Sequence, residues 1–148
     1  MLRNHLNPAI LGLPSTYNHG VEISGVQRCL FISGQVGIRP DGSVPEGIIE
    51  QTYLAVSNLK LVLGAAGMSL KNVVKETIYL RSSEDLAGFV AAKSDSWGSA
   101  FNPASTLLYV DSFVGADLRV EIDAIAVDHT TSIPIAHSVK QDSRLRAI

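Results

Sequence analysis

Charged side chains alternate along a predicted strand near the end of the chain, over residues 118–128. Arg119, Glu121 and Asp123 lie two positions apart. Because alternate residues of a strand share a face, we expect these three side chains to point the same way. A carboxylate held there could orient a water molecule and exchange a proton with it. The alternative is that Glu121 only pairs with Arg119 or another neighbour as a solvated surface pair.

A second predicted strand, over residues 105–111, carries a less charged set of side chains. Ser105, Leu107 and Tyr109 share one of its faces. A wall of this composition suits a neutral or aromatic ligand. Leu107 and Tyr109 could equally be packing residues of an interface.

Other residue combinations that often do chemistry are incomplete in this chain. Ser57 and Lys60 have the S-x-x-K spacing of serine β-lactamases, but they lie on the polar side of a predicted helix and the companion motifs are missing. The four histidines, at positions 5, 19, 129 and 137, lack the spacing of a metal site. The single cysteine, Cys29, excludes an internal disulfide framework and a cysteine-rich zinc site. We therefore predict no metal.

Strands and helices alternate in the order needed to position these residues. Two strands, at 21–24 and 29–32, are predicted to form a hairpin through the turn at 25–28, and a third is predicted at 72–80. Apolar residues at helical spacing predict a helix over 48–66. A second helix is predicted after an N-cap at 82–85 and ends before Pro103. This order predicts an α+β domain with both helices on one face of the sheet.

Length and composition indicate one domain. Of the 148 residues, 46% are hydrophobic and 18% are charged, a balance that often accompanies apolar surface buried in an oligomer. The net charge of −2 argues against a nucleic-acid groove. No apolar run reaches the roughly 18 residues of a membrane helix, and the N-terminus lacks the apolar core of a signal peptide. We expect a cytoplasmic domain over residues 1–128 and a mobile C-terminal extension over 129–148.

Several short motifs, taken together, resemble the signature of the Rid (reactive intermediate deaminase) family, also called the YjgF family. The motifs that carry the resemblance include residues 16–21, Ser33-Gly34-Gln35, Pro103-Ala104-Ser105-Thr106 and Glu121-Ile122-Asp123-Ala124-Ile125-Ala126. No single motif is specific, but their order and spacing over residues 15–127 are.

The resemblance implies a chorismate-mutase-like α+β fold with a mixed β-sheet. It also implies a homotrimer with a ligand cleft at each subunit interface. The deaminase members hydrolyse enamines and imines released by pyridoxal-phosphate enzymes, giving a 2-keto acid and ammonia without a metal or cofactor. We therefore expect a small-molecule substrate, no cofactor, and no membrane or nucleic-acid partner.

The resemblance also assigns roles to individual residues. Glu121 matches the cleft glutamate that orients water as it attacks an imine carbon, and Tyr17 matches a tyrosine whose hydroxyl bonds a ligand or water. Ser33 and Gly34 match a pair that lines the site, where glycine lets backbone N–H groups approach a ligand. Alternatively, Tyr17 anchors the N-terminal segment, and Ser33 with Gly34 forms a strand-end turn.

The largest departure from the family is Ser105, which stands where the deaminases have an arginine that holds the substrate carboxylate. A hydroxyl offers one neutral hydrogen bond in place of a planar two-point grip, a loss of roughly 2–5 kcal/mol of binding. A 2-imino acid is therefore a poor candidate substrate unless another cation, Arg39 or Arg119, reaches the site. Each of these could instead be an ordinary surface arginine.

Three functions stay open at this point. The first is an enzyme that hydrolyses or deaminates a small imine, enamine or amino-substituted metabolite other than the usual 2-imino acid. The second is a non-catalytic trimer that binds a small molecule or a protein, motivated by the missing arginine. The third is the ribonuclease or translation-inhibitor activity attached to some relatives, which the acidic charge balance disfavours.

Overall fold

A mixed four-stranded sheet organises the part of the chain that the computed structural model describes, residues 2–98 and 102–131. Its strands are β3 (Arg28–Val36), β4 (Val73–Leu80), β5 (Ala104–Tyr109) and β6 (Val120–Asp128), in the spatial order β3-β6-β4-β5. Strand β6 is antiparallel to both of its neighbours, whereas β4 and β5 run parallel. A parallel pair needs a long crossover, and the helix between β4 and β5 in the chain supplies it.

Two helices cover one face of this sheet, as predicted. The helix α1 (Ile48–Ala65) places Val56, Leu59 and Leu63 in the hydrophobic core, because these residues recur at helical spacing. The helix α2 (Leu86–Trp97) contributes its own apolar residues to the same core. Both helices pack against the sheet from the same side, so the fold is the predicted α+β arrangement.

Alternating burial along the central strands divides the sheet into two unlike faces. In β4, residues 74, 76, 78 and 80 are buried and residues 75, 77 and 79 are partly exposed. In β6, residues 120, 122, 124 and 126 are buried and residues 121, 123 and 125 are partly exposed. We call the side packed against the helices the helix face and the other side the open face. On the open face Phe31, opposite Ile125 in the ladder, is 75% exposed.

The N-terminal segment forms a separate two-stranded sheet. Strand β1 (Leu2–Leu6) pairs antiparallel with β2 (Gly20–Ser24). The predicted hairpin between β2 and β3 is therefore wrong: β2 pairs with β1, and β3 pairs with β6. The connecting turn directs the chain toward β6 instead, since Gln27 donates its backbone N–H to the Asp128 carbonyl oxygen at 2.9 Å. Partners distant in sequence thus outcompeted the local pairing.

The remaining predicted elements agree with the structure to within a few residues. The predicted second helix begins with a short 3-10 turn, Ser83–Asp85, for which Ser82 supplies a side-chain cap by accepting the backbone N–H of Glu84. No helix within the described ranges combines the length and apolar character needed to span a bilayer. The predicted C-terminal extension, 129–148, lies outside the described residues except for 129–131, so its mobility stays a prediction.

Candidate functional site

The predicted catalytic residue, Glu121, lies beside Gly34 on the open face. The β3–β6 register shifts between Ile32 and Gln35, so Ser33 and Gly34 occupy a β-bulge. The Glu121 carboxylate lies over this bulge: a Cβ atom on residue 34 would come within 1.7 Å of Glu121 Oε1 and 2.5 Å of its Cδ. The absence of a side chain at residue 34 therefore gives the Glu121 carboxylate its space.

Two further polar groups, Tyr79 and Asp123, share the open face with Glu121. Tyr79 is opposite Glu121 in the β4–β6 ladder, and its hydroxyl donates to Asp123 Oδ2 at 3.1 Å. That hydrogen bond, the Asp123 charge, partial burial and the charge of Glu121 together raise the pKa of Tyr79. Tyr79 was not predicted as a site residue, although its odd position in β4 places it on the face of Glu121.

The helix face carries Ser105 and Leu107, so these residues lie on the opposite side of the sheet from Glu121. In the β4–β5 ladder Ser105 is registered with Glu76, and Leu107 with Ile78. The side chains of Glu76 and Ile78 are buried beneath the helices. Within one chain, the sheet therefore separates the predicted catalytic glutamate from the position that replaces the family arginine.

A cavity of about 440 Å³ lies on the helix face beneath α2. We call it the α2 pocket. It brings together three of the predicted substrate-binding residues: Tyr17, Ser105 and Leu107. Its remaining wall is mostly apolar and includes Phe89 and Trp97. Ser105 and Leu107, which were predicted to share a strand face, thus both line this pocket beneath α2.

Asparagine side chains bring the segment that contains Tyr17 to this pocket. Asn18 donates its backbone N–H to the Pro103 carbonyl oxygen at 3.0 Å and its Nδ2 to the Asn102 carbonyl oxygen at 2.5 Å. Its Oδ1 accepts a hydrogen bond from Asn7 Nδ2 at 2.7 Å. These bonds hold residue 17 next to the start of β5, where Tyr17 lines the pocket and is 37% exposed.

A buried ion pair, not predicted from the sequence, lies at the α2 pocket. Lys93 Nζ is 2.5 Å from Glu76 Oε1, and the side chains are 13% and 0% exposed. The same ammonium group lies 4.7 Å from the centroid of the Trp97 ring. The signal was present in the sequence: Lys93 is four residues after Phe89 and four before Trp97, on the apolar stripe of α2, and Glu76 falls on a buried position of β4.

The two arginines considered as substitutes for the missing cation pair with carboxylates elsewhere. Arg119 directs its Nε to Asp85 Oδ1 at 2.9 Å, toward the start of α2 and not toward Glu121. Arg39 pairs with the carboxylate of Glu50. Neither arginine lines the α2 pocket.

Tyr109, the last residue of β5, also lies outside the wall of the α2 pocket and is about half exposed. The predicted site residues therefore fall into three groups: Ser33, Gly34 and Glu121 at the β3–β6 bulge, Tyr17, Ser105 and Leu107 in the α2 pocket, and Tyr109 and Arg119 outside that pocket.

Among residues 2–98 and 102–131, no cluster of three or more histidine, cysteine or carboxylate side chains could hold a metal ion.

Comparison with known proteins decides the family. Residues 12–128 match the family described as Endoribonuclease L-PSP. The chain belongs to the Rid (YjgF) family. Within that family, a 2-iminobutanoate/2-iminopropanoate deaminase of Mus musculus is 37% identical over 122 residues, which are 81% of this chain and 84% of the mouse protein. A RutC family protein of Aquifex aeolicus is 43% identical over 112 residues, 74% of this chain and 87% of that protein.

Solved structures of Rid proteins have the same fold. The Rid family protein YyfB of Yersinia pestis superposes with a TM-score of 0.76 at 30% identity, covering 86% of this chain and all of that protein (100%). TdcF of E. coli, solved with bound serine, gives a TM-score of 0.63 at 27% identity and covers 79% of this chain and 91% of TdcF. The YjgF-like α+β fold predicted from the sequence is confirmed.

Proposed function

We propose that this Rid-family protein hydrolyses or deaminates a small imine, enamine or amino-substituted metabolite, with Glu121 orienting the attacking water. The observation that carries the proposal is the fit of the Glu121 carboxylate over Gly34, which reserves space for an acid on the open face. The mouse relative, named as a 2-iminobutanoate/2-iminopropanoate deaminase, supports the reaction class.

Glu121 has the chemistry that imine hydrolysis needs. Its carboxylate would accept a proton from water while the water oxygen bonds to the carbon of the C=N group. The carboxyl group would pass this proton to the nitrogen, giving a carbinolamine. Glu121 would then take the hydroxyl proton of the carbinolamine and deliver it to the nitrogen as the C–N bond breaks, giving a carbonyl compound and ammonia or an amine. The hydroxyl proton of Tyr79 is directed to Asp123 and does not compete for Glu121. Water is the only co-reactant, so the reaction needs no cofactor.

The proposed reaction site is an intersubunit cleft in a homotrimer. Glu121 and Ser105 lie on opposite faces of the sheet, so a second copy of the chain would be needed to bring them to one ligand. The open face carries Phe31, 75% exposed, and Leu108, 46% exposed, which is apolar surface that a neighbouring subunit would cover. Light scattering should then give three times the 15.8 kDa mass of the chain, and a monomer would contradict the cleft.

We also propose that the substrate is not the usual 2-imino acid. Ser105 provides a hydroxyl in place of the family arginine, and Arg39 and Arg119 pair with Glu50 and Asp85. We further propose that the protein acts in the cytoplasm and has neither a membrane nor a nucleic-acid partner. Fractionation of cells would test that location.

Ammonia release tests the catalytic role. Imines formed in situ and aminomuconate-like compounds would be supplied to the wild-type protein and to Glu121→Gln. Loss of the proton acceptor should lower turnover by about a hundredfold or more. Glu50→Gln is the matched control, because it removes a surface carboxylate of α1 and should leave turnover unchanged. Equal rates for Glu121→Gln and the wild type would rule out the proposed role.

A non-catalytic trimer that binds a small ligand or a protein partner is the second candidate, favoured by the replacement at Ser105. The α2 pocket would be the ligand site in that case. A thermal-shift screen distinguishes the two, because ligands that stabilise the fold without being turned over indicate binding alone.

A further inference from the structure

We propose that the Glu76–Lys93 ion pair makes the α2 pocket selective for uncharged ligands with an apolar or aromatic body and a carbonyl-type hydrogen-bond acceptor. This proposal rests on the proposed function, because it takes the ligand of the pocket to be the substrate. It replaces the carboxylate-bearing substrate, which an arginine at position 105 would bind, with an uncharged substrate.

A cation does reach the neighbourhood of Ser105, and it is Lys93. Ser105 is registered with Glu76 across the β4–β5 ladder, and Lys93 Nζ lies 2.5 Å from Glu76 Oε1. Ser105 and Lys93 both line the α2 pocket. Lys93 could therefore either bind a ligand carboxylate, as the family arginine would, or stay paired with Glu76.

The burial of Glu76 decides between these two roles. Its side chain is 0% exposed, and its Oε2 has no hydrogen-bond partner among the described residues. If Lys93 turned to a ligand carboxylate, Glu76 would stay behind as an unpaired charge in the protein interior, which is among the least favourable arrangements in a folded protein. A ligand carboxylate would also be repelled by Glu76. The pair is therefore retained and keeps this wall electrically neutral.

The rest of the wall fits an uncharged ligand. Phe89, Trp97 and Leu107 offer aromatic and aliphatic surface for its body. The hydroxyl of Ser105 and an N–H of Lys93 not used by Glu76 can donate to a neutral acceptor such as a carbonyl oxygen. A few polar donors in a mostly apolar cavity are the usual means by which a protein orients a small uncharged ligand.

Three probes of one shape test the charge preference directly. Benzamide is neutral, benzoate is an anion and benzamidinium is a cation. Their binding to the full-length protein would be measured by titration calorimetry, and the fluorescence of Trp97, the only tryptophan, would report occupancy of the pocket. We expect benzamide to bind about tenfold or more tightly than either ion, because neither ion finds a free counter-charge. Equal or tighter binding of an ion, or no binding of benzamide, would overturn the proposal.

Variants of the pair test its cause. Glu76→Gln releases Lys93, so benzoate should gain about tenfold in affinity while benzamide changes little. The double variant Glu76→Gln with Lys93→Met removes both charges and should keep the preference for benzamide, with circular dichroism verifying the fold of each variant. Glu50→Gln is the control and should bind as the wild type does. An unchanged benzoate affinity in folded Glu76→Gln contradicts the inference.

The outcomes separate this inference from the proposed function. A loss of turnover in Glu121→Gln without charge selectivity in the α2 pocket would refute only the inference. Charge selectivity with turnover unaffected by Glu121→Gln would refute only the catalytic proposal.

Discussion

The carboxylate of Glu121 lies over Gly34, so close that a Cβ atom on residue 34 would come within 1.7 Å of Glu121 Oε1. The colliding atoms are the carboxyl group and Cγ of the Glu121 side chain, not backbone. A side chain can move to a new rotamer at small cost, whereas backbone cannot. An added methyl group would therefore displace the carboxylate and leave the strand in place.

Gly34→Ala should lower turnover strongly with little loss of stability. We expect turnover to fall about a hundredfold, comparable with the loss in Glu121→Gln, because the general base is moved from its position. Gly64→Ala is the control, because a Cβ there would meet no atom within 4 Å beyond its chain neighbours and the backbone of its own helix. Alanine in a helix should stabilise the protein by about 0.5–1 kcal/mol without affecting the rate. Ammonia release and thermal unfolding measure the two effects. Full activity in Gly34→Ala would contradict the role of this contact.

Ser105→Arg should introduce affinity for carboxylate-bearing substrates. The guanidinium would restore a planar two-point grip in the α2 pocket, and we expect KM for a 2-imino acid to fall roughly tenfold to a hundredfold. Ser105→Gln has a long side chain without the charge, so it controls for size. The comparison is made by steady-state ammonia release. If both variants lower KM equally, the charge at residue 105 does not set specificity.

Lys93→Met should destabilise the fold strongly. It leaves Glu76, whose side chain is 0% exposed, without its cation, and breaking a buried pair in this way costs about 3–5 kcal/mol of unfolding free energy. Glu76→Leu combined with Lys93→Met removes both charges and should recover most of that loss. Chemical denaturation of the single and double variants completes the cycle. Additive losses would mean that the two residues do not interact.

Asp128 should make stability depend on pH in the acid range. Hydrogen bonds from Thr130 and Arg28 hold the pKa of Asp128 well below its ordinary value of 3.8. The folded state thus binds the proton less readily than the unfolded state, so the stabilisation is present above about pH 4 and is lost as the pH falls further.

Asp128→Asn should therefore lower the thermal unfolding temperature at neutral pH, and the gap to the wild type should narrow in acid. Thermal unfolding measured across the acid range gives both quantities. Asp111→Asn removes an exposed carboxylate and controls for net charge. A gap that stays constant as the pH falls would show that Asp128 stabilises the fold by something other than its charge.

Local sequence patterns were enough to predict most of the fold. The apolar spacing of α1 gave its ends to within one residue, since the predicted 48–66 is observed as Ile48–Ala65. The pairing of strands was harder, because the turn between β2 and β3 indicated a hairpin while the actual partners are β1 and β6. Which strands pair depends on residues far apart in the chain, and a local turn carries no information about them.

The residues of the candidate site were predicted by type, and the structure adds their placement within one chain. Strand alternation places Ser105 and Glu121 on opposite faces of the sheet, so the predicted cleft that contains both requires a second subunit and stays a prediction. The Glu76–Lys93 pair was not predicted, because a charged residue on an apolar stripe looks like a break in the apolar pattern of the helix when its partner is unknown. The partner lies 17 residues away, on an element of a different type, and only the packing of α2 on β4 joins them.

The hydrogen bond from Asn18 to Asn102 spans 84 residues, and this separation has a kinetic consequence. A contact of such range forms only after the intervening chain has been brought together, so it should be late in folding. Few hydrogen bonds hold the segment around Asn18 in place, so this segment should be among the first to open in the native protein. The rate at which ligands enter the α2 pocket would then be set by the opening of the segment around Tyr17, and amide hydrogen exchange near that residue would slow once the pocket is filled.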